Sequence, residues 1–524
     1  MKCIKNAVVV FFALSILFCG LLSIPLKSAA AQSSSDIASM IHIYNDPDEV
    51  KEEEESQVYL PENRNWQGLP YIAVTESRIW VTLYSGGVAE PDPNGLNYTA
   101  LAYSEDNGKT WVDPYIVFDN PGKNSYMSIW TDPNGRLYLY FIVQTEGRDY
   151  YMYEYYTDNP DAKDIQDIQW VGRRSTKGAS SKPYVIINEK GQKEWLSFQN
   201  YRILSSVDGG TTWQEKGECV PHEDTLDYLD TDEPSLYQCT NGDLVALFRI
   251  GNGALGGVQK FVSKDFGKTW SEGEFNLGAP YQSPGSKIAS MTLDSGAILI
   301  CSHDNTTSIG GATRKGLTLY LSDNDGVSWY SLVLESRESS YPEIFQDKDG
   351  TIYVAYDRGR YTTNSIRLTI LNEQDIKNGF YSDKMNHNIK VAGIGITKDI
   401  EQVNIPSEIE VPLGTSYEDV LQKFPEKIEI YDEDGKKYEI DRKDMLSYSY
   451  KPDREGVYMF EVSSWPENLL DVHELLKVNV VVKESPVEGG CNSSVYGGTI
   501  VVVGLVSAFL IICGIELCCR KIKK

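Results

Sequence analysis

Seven residues could do chemistry together. The segment DEPSLYQCTNGDLVALFR places Glu233 sixteen residues ahead of Arg249, across one strand–turn–strand. The segment SSYPEIFQDKDGTIYVAYD carries Tyr341 and Asp357, and GATRKGLTLYLSD carries Arg314. A loop rich in Pro and Gly, YSGGVAEPDPNGLNY, offers Glu90 and Asp92. Carboxyl groups can move protons, and guanidinium groups can grip an anion through paired hydrogen bonds. Each also has a plainer reading. Arg249 can simply pair with Asp232 or Glu233, Tyr341 is one of 34 tyrosines, and acids are common in such loops. His303, in CSHDN, reads as a hydrogen-bonded histidine at a strand end.

What must position these residues is a repeated strand framework. The pattern Ser-x-Asp-x-Gly-x-Thr-Trp recurs as SEDNGKTW from Ser104, SVDGGTTW from Ser206, SKDFGKTW from Ser263 and SDNDGVSW from Ser322, the last with Asn324 for Asp. The starting serines are 102, 57 and 59 residues apart, so the first gap spans two periods and hides a degenerate copy. Asp and Gly make a tight turn, and Trp supplies a large apolar surface to pack. Nothing in the pattern is a convincing catalyst. Around it lie short strands of period two, such as RIWVTLY, RLYLYFIV, DLVALFRI and TIYVAYD, bounded by turn residues. A strand-rich repeat of this length predicts an all-β fold, a six-bladed β-propeller over 57–380.

A second strand-rich region, 386–485, contains SEIEVPLG, EKIEIYDEDGKKYEI and GVYMFEVSS. It predicts a small C-terminal β-sandwich with a hairpin at Asp434-Gly435, similar to the bacterial immunoglobulin-like modules that serve as stalks. The ends read as targeting segments. Residues 1–31 have the basic, apolar and Ala-x-Ala order of a signal peptide, and 32–56 read as an acidic leader. After a linker at 486–494, residues 495–517 form an uncharged apolar run, predicted to be one transmembrane helix. The basic tail, 518–524, then stays in the cytoplasm and the bulk of the chain lies outside the cell.

The formal net charge of −26 speaks against nucleic acid as a partner. Any anionic ligand must be held by local arginines against that field. Five His in the whole chain and no CxxC pair leave little for a metal site, and no cofactor is implied. Cys219 and Cys239 are close enough in sequence to pair, which spacing alone does not establish.

The four repeats resemble the Asp boxes of sialidases, and the resemblance extends over about Leu60 to Gly379. It is nearest to the sialidase-like proteins that share Gly-Leu/Ile-Pro near the start, Asp-Glu, and Ser-Tyr-Pro. It implies Tyr341 as nucleophile, Glu233 as its base, and Glu90 or Asp92 as the acid. It further implies Arg249 and Arg314 as binders of a substrate carboxylate, with Asp357 where the family has a glutamate that holds an arginine. A neutral tyrosine suits a sugar whose anomeric carbon bears a carboxylate, because a carboxylate nucleophile would be repelled. One position departs. Where sialidases open with an arginine, this chain reads WQGLP, and Gly68 stands in its place. Arg64 is near enough in sequence to fold back as a substitute.

Three functions follow from this reading. The first is a cell-surface exo-glycosidase acting on sialic-acid-like sugars of glycoconjugates. The second is a glycosidase for a different, less acidic sugar, suggested by the missing arginine. The third is a non-catalytic glycan-binding propeller, an adhesin.

Overall fold

The computed structural model describes residues 41–43, 64–90, 96–118, 127–144, 150–175 and 182–484. The last span is interrupted at 228, 230–232, 252–254, 305–313, 361–363, 380–384, 394–397, 433–434, 448–449, 463–464, 467–468 and 471–474. The expected signal peptide, linker, membrane span and basic tail lie outside these residues, as does Asp92. Among the described residues no helix is long and apolar enough to cross a membrane.

The chain is all-β. Six antiparallel sheets follow one another, beginning with strands Gln67–Val74, Met127–Thr131, Tyr184–Ile187, Ser235–Gln238, Ala289–Thr292 and Ser339–Gln346. From these strands onward each sheet is a meander in which sequential strands pair, and the first strands of the first and second, fourth and fifth, fifth and sixth, and sixth and first sheets touch. Every adjacent pair of sheets shares an apolar core, including the last with the first, where Val81, Leu83 and Ala100 meet Ala355, Ile366 and Leu368. Six shared cores for six sheets is what a closed ring requires, and the arrangement is that of a β-propeller. Closure through side chains leaves few open edges for so much strand.

The Asp boxes occupy the turns after the third strands of the first, third, fourth and fifth blades. In the first box Gly108 N donates to Ser104 Oγ at 2.9 Å, and Thr110 N to Asp106 Oδ1 at 2.8 Å. Trp111 Nε1 donates to Gly108 O at 3.0 Å. Asn324 serves in the fourth box because the turn needs only an acceptor there: Ser328 N donates to Asn324 Oδ1 at 2.9 Å. The box tryptophans Trp111, Trp213, Trp270 and Trp329 each pack on the core shared with the preceding blade. The degenerate copy lies in the second blade. Thr157 Oγ1 donates to Asn159 Oδ1 at 2.8 Å and Gln169 N to the same oxygen at 3.2 Å, with Trp170 completing the pattern after an inserted turn. The sixth blade has a short helix, Glu373–Asn378, in this place.

Two expectations change, and the open cysteine pairing is decided. Strand Asn386–Gly393 is the outer strand of the sixth blade, paired with Ser365–Leu371, so the propeller extends past 380 and the second region begins at Lys398. Strand Ile41–Ile43, within the expected leader, pairs with residues 116–118 on the edge of the first blade. Cys219, Cys239 and Cys301 are free thiols, so no 219–239 bridge forms.

The second region has two four-stranded sheets around one core, with Ile400, Ile428 and Ile430 from one sheet and Phe460, Val478 and Val480 from the other. It does not stand off as a stalk. Glu461 accepts from Ser336 N at 3.2 Å and lies 3.5 Å from Arg337 Nη2, while Trp465 stacks on Arg337 and Arg358, each at 4.6 Å. The described residues of the propeller and of the second region as far as Val482 belong to one compact unit.

Candidate functional site

The site lies at the end of the ring where first strands begin, second strands end and third strands begin. Tyr341 is near the start of Ser339–Gln346, and Glu233 just precedes Ser235–Gln238. Arg249 ends Leu244–Arg249, Asp357 is near the end of Ile352–Arg358, and Arg314 comes shortly before Leu317–Ser322. Glu90 follows Ile79–Ser85. Residues from four blades therefore converge because they share one end of the strands, however far apart they are in sequence.

Tyr341 is the centre. It is 7 % exposed, and its backbone has φ 51°. A left-handed conformation is unusual for a bulky residue and costs on the order of 1–3 kcal/mol, so the surrounding structure must hold it. The cause is a bulge: pairing with Ile352–Arg358 slips between Ser340 and Glu343, and Tyr341 N donates to Ser286 Oγ at 3.0 Å. The bulge re-aims the side chain. The same device recurs at Leu69 (φ 57°) in the first blade, also followed by proline.

Arg249 Nη1 donates to Tyr341 Oη at 2.7 Å and lies 2.9 Å from Glu233 Oε2, so one nitrogen links the phenol to the carboxylate. Arg314 stands with its guanidinium carbon 5.4 Å from the Tyr341 ring centre and donates to Gly285 O at 2.8 Å. Asp357 accepts from Ser340 Oγ and from Leu69 N.

An arginine that sequence reasoning missed completes the group. Arg360 lies 4.2 Å from the Tyr341 ring centre, nearer than Arg249 or Arg314. Its Nε and Nη2 donate to Asp357 Oδ2 at 3.2 and 2.9 Å, and its Nη1 to Glu90 Oε2 at 3.0 Å. The turn bearing it is pinned to the first blade, since Gln67 Nε2 donates to Asn364 O at 2.6 Å and Asn364 Nδ2 to Asn65 O at 3.3 Å. The signal was Arg358-Gly359-Arg360, directly after Asp357. Arg64, the expected substitute, is engaged elsewhere: its Nη2 donates to Asp113 Oδ2 at 2.8 Å and to Gln67 Oε1 at 2.9 Å.

Burial sets the proton affinities. It pushes the Tyr341 phenol up to about 12, with Glu233 adding to the shift and Arg249, Arg360 and Arg314 opposing it. The phenol therefore keeps its proton at neutral pH unless a base removes it. Burial also raises Glu90, against the pull of Arg360. Glu338 is raised in the same way, with Asp357 adding to it. His303 is wholly buried at its strand end, bonded to Ser339 O at 2.9 Å and lowered by burial to about 4, which leaves it neutral. Below the tyrosine, Glu343 is ion-paired with both Lys182 and Lys287, one more cation than anion.

Residues 203–354 match the family described as the BNR repeat-like domain. That match lies within the propeller and covers less than a third of the chain. Comparison with curated proteins gives no match. Among solved structures, a protein of unknown function from Dyadobacter fermentans is 17% identical, over 58% of this chain and 93% of that one, at TM-score 0.42. A Hadza microbial sialidase is 15% identical over 57% of this chain and 64% of its own, at TM-score 0.44. This chain thus spans less than two thirds of that sialidase. An intramolecular trans-sialidase from Ruminococcus gnavus is 14% identical over 62% of this chain and 98% of its own, also at 0.44.

Proposed function

We propose that the chain is an exo-acting glycoside hydrolase of sialidase type, removing terminal acidic sugars from glycoconjugates. The observation that carries this reading is a buried phenol bonded to Arg249, which also pairs with Glu233. Tyr341 Oη attacks the anomeric carbon while its proton passes to Glu233. Glu90, whose proton affinity is raised by burial, gives a proton to the departing glycosidic oxygen. In the second half water attacks the same carbon, its proton goes to Glu90, and Tyr341 leaves with the proton returned by Glu233. Asp92 remains the other candidate acid. Arg249 and Arg314 bind the sugar carboxylate.

The test is hydrolysis of a fluorogenic sialoside by the wild type and by Tyr341→Phe. Turnover that disappears in the variant supports the tyrosine mechanism, and an unchanged rate sinks it.

One observation favours a second reading, a glycosidase for a neutral sugar. The three arginines Arg249, Arg314 and Arg360 face three carboxyls, Glu233, Glu90 and Asp357, so with every group ionised the six sum to zero. Aryl glycosides of neutral sugars would then be cleaved and sialosides would not. Binding to glycans without turnover of either class would leave the adhesin. The localisation belongs to the same proposal: export by the signal peptide at 1–31 and anchoring through 495–517, tested by fractionating cells and stripping intact ones with protease.

A further inference from the structure

The glycine at 68 has no backbone reason to be glycine. It lies in strand Gln67–Val74 with no positive φ. What crowds a side chain there is its surroundings: a Cβ would sit 3.0 Å from Arg360 Nε, 3.0 Å from Asp357 Oδ2 and 3.2 Å from Arg360 Nη2, so these groups would have to give way by a few tenths of an ångström. The space over position 68 is filled by a guanidinium that arrives from the other end of the propeller sequence.

Arg360 is also held as a binding group would be. It is 4 % exposed, lies 5.4 Å from the Trp66 ring centre, and is fixed on one edge by Asp357. Its remaining nitrogen, Nη1, points to Glu90, whose side chain is 14% exposed. Three guanidinium groups stand around one phenol ring, at 4.2, 5.4 and 5.8 Å, and because Glu233, Glu90 and Asp357 already balance them, an anionic ligand group gains its pairing by displacing one of these carboxyls.

We infer that Arg360 is the third arm of the anion clamp, taking the space that Gly68 leaves open, and that the ligand carboxylate competes with Glu90 for its Nη1. This rests on the sialidase-type reading and deepens it. The site discriminates an acidic sugar from a neutral one by whether the ligand can take over that nitrogen. A carboxylate that does so releases Glu90 from the Arg360 Nη1 contact and leaves it surrounded by less positive charge. A neutral sugar leaves the Glu90–Arg360 pair intact.

The experiment measures binding of a 2,3-didehydro sialic acid and of its methyl ester to the full-length chain by calorimetry, alongside sialoside hydrolysis. Wild type is expected to prefer the acid. Arg360→Lys keeps the charge but loses the fork. It is expected to weaken the acid about 10- to 100-fold, the worth of one charge-assisted bond, and to leave the ester unmoved. Glu90→Ala is expected to tighten the acid although turnover is lost. Gly68→Arg combined with Arg360→Ala moves the guanidinium to the other strand and is expected to recover acid binding relative to Arg360→Ala alone. Circular dichroism establishes that each variant is folded. Hydrolysis with an acid affinity unaffected by Arg360→Lys overturns this inference and leaves the sialidase reading standing. Equal weakening of acid and ester overturns it also. A wild type that binds neither compound overturns both.

Discussion

Gly68 and Arg360 occupy one space from two ends of the ring: a side chain at 68 would begin 3.0 Å from the Arg360 Nε. The two residues are 292 positions apart. They meet because the sixth blade packs against the first, and Gln67 and Asn364 tie the relevant turn across that seam. A propeller closed by side-chain packing can thus keep an arginine in its site while changing the strand that supplies it.

Tyr341→Phe removes the oxygen that Arg249 holds at 2.7 Å and is expected to lower the rate of sialoside cleavage by about 10³-fold or more. Glu233→Gln is expected to cost about 10²–10⁴-fold, as the loss of one general base does. Both variants keep their shape, so KM should move much less than kcat. Steady-state kinetics on the fluorogenic sialoside read the split.

Glu90 predicts a pH dependence with a definite sign. Its carboxyl is raised above the usual 4.5 by burial. As the acid it works only while protonated, so kcat/KM should fall as pH rises through the raised value. Stability follows the same direction: the folded state holds this proton more tightly than the unfolded chain does. The associated stabilisation is therefore present below the unfolded value and lost on going up through the folded one. Glu90→Gln should remove both slopes, measured by a pH–rate profile and by thermal melts over the same range. Retention of the slope for kcat/KM would move the acid role to Asp92.

The sequence shows the ring more readily than the site because the repeat is local and the site is not. Ser104, Asp106, Gly108 and Trp111 lie within eight residues, and the physics of that turn is complete in itself. The degenerate box at Thr157, Asn159 and Trp170 was legible only as a gap in the period, because an inserted turn separates its tryptophan from its asparagine. Arg249 and Glu233 could be paired on paper, since one hairpin joins them. Arg360 could not, since its role depends on ring closure and on an empty Cβ position in another blade. The outer strands were missed for a related reason. Ile41–Ile43 and Asn386–Gly393 lie on sheet edges, beyond the segments where turn residues and apolar alternation are clearest.

The Asp boxes should prove to be structural. Hydrogen bonds from the Thr110 hydroxyl and amide hold the Asp106 carboxyl down to about 2. A depressed value contributes stability that is present above the unfolded pKa and lost as pH falls from about 4 towards 2. Asn324 already fills the equivalent place in the fifth blade, using Oδ1 as the acceptor. Asp106→Asn is therefore expected to melt close to the wild type at neutral pH, while Asp106→Ala melts lower, and neither changes KM. A lowered KM or kcat in Asp106→Asn would contradict a purely architectural box.

The junction between propeller and second region should behave as part of the fold. Glu335 is fully buried, yet Arg337 and Arg358 outweigh that burial and hold its carboxyl below the usual range. Arg337 reaches it with Nε at 2.6 Å and Nη2 at 2.8 Å. Glu461 shares Arg337 from the other side, and burial raises its carboxyl. Removing one member of such a cluster leaves buried charge uncompensated. Glu461→Ala is expected to destabilise the protein by about 3 kcal/mol. Trp465→Ala strips the ring that covers both Arg337 and Arg358, with a loss of about 2 kcal/mol for the desolvated cation–π contacts. Arg358 is two residues from Arg360, so the loosened junction should also weaken ligand binding. Chemical denaturation of the two variants, with the acid-to-ester preference measured on each, checks both expectations. A second region that served only as a spacer would give a propeller transition and an acid preference unchanged in both.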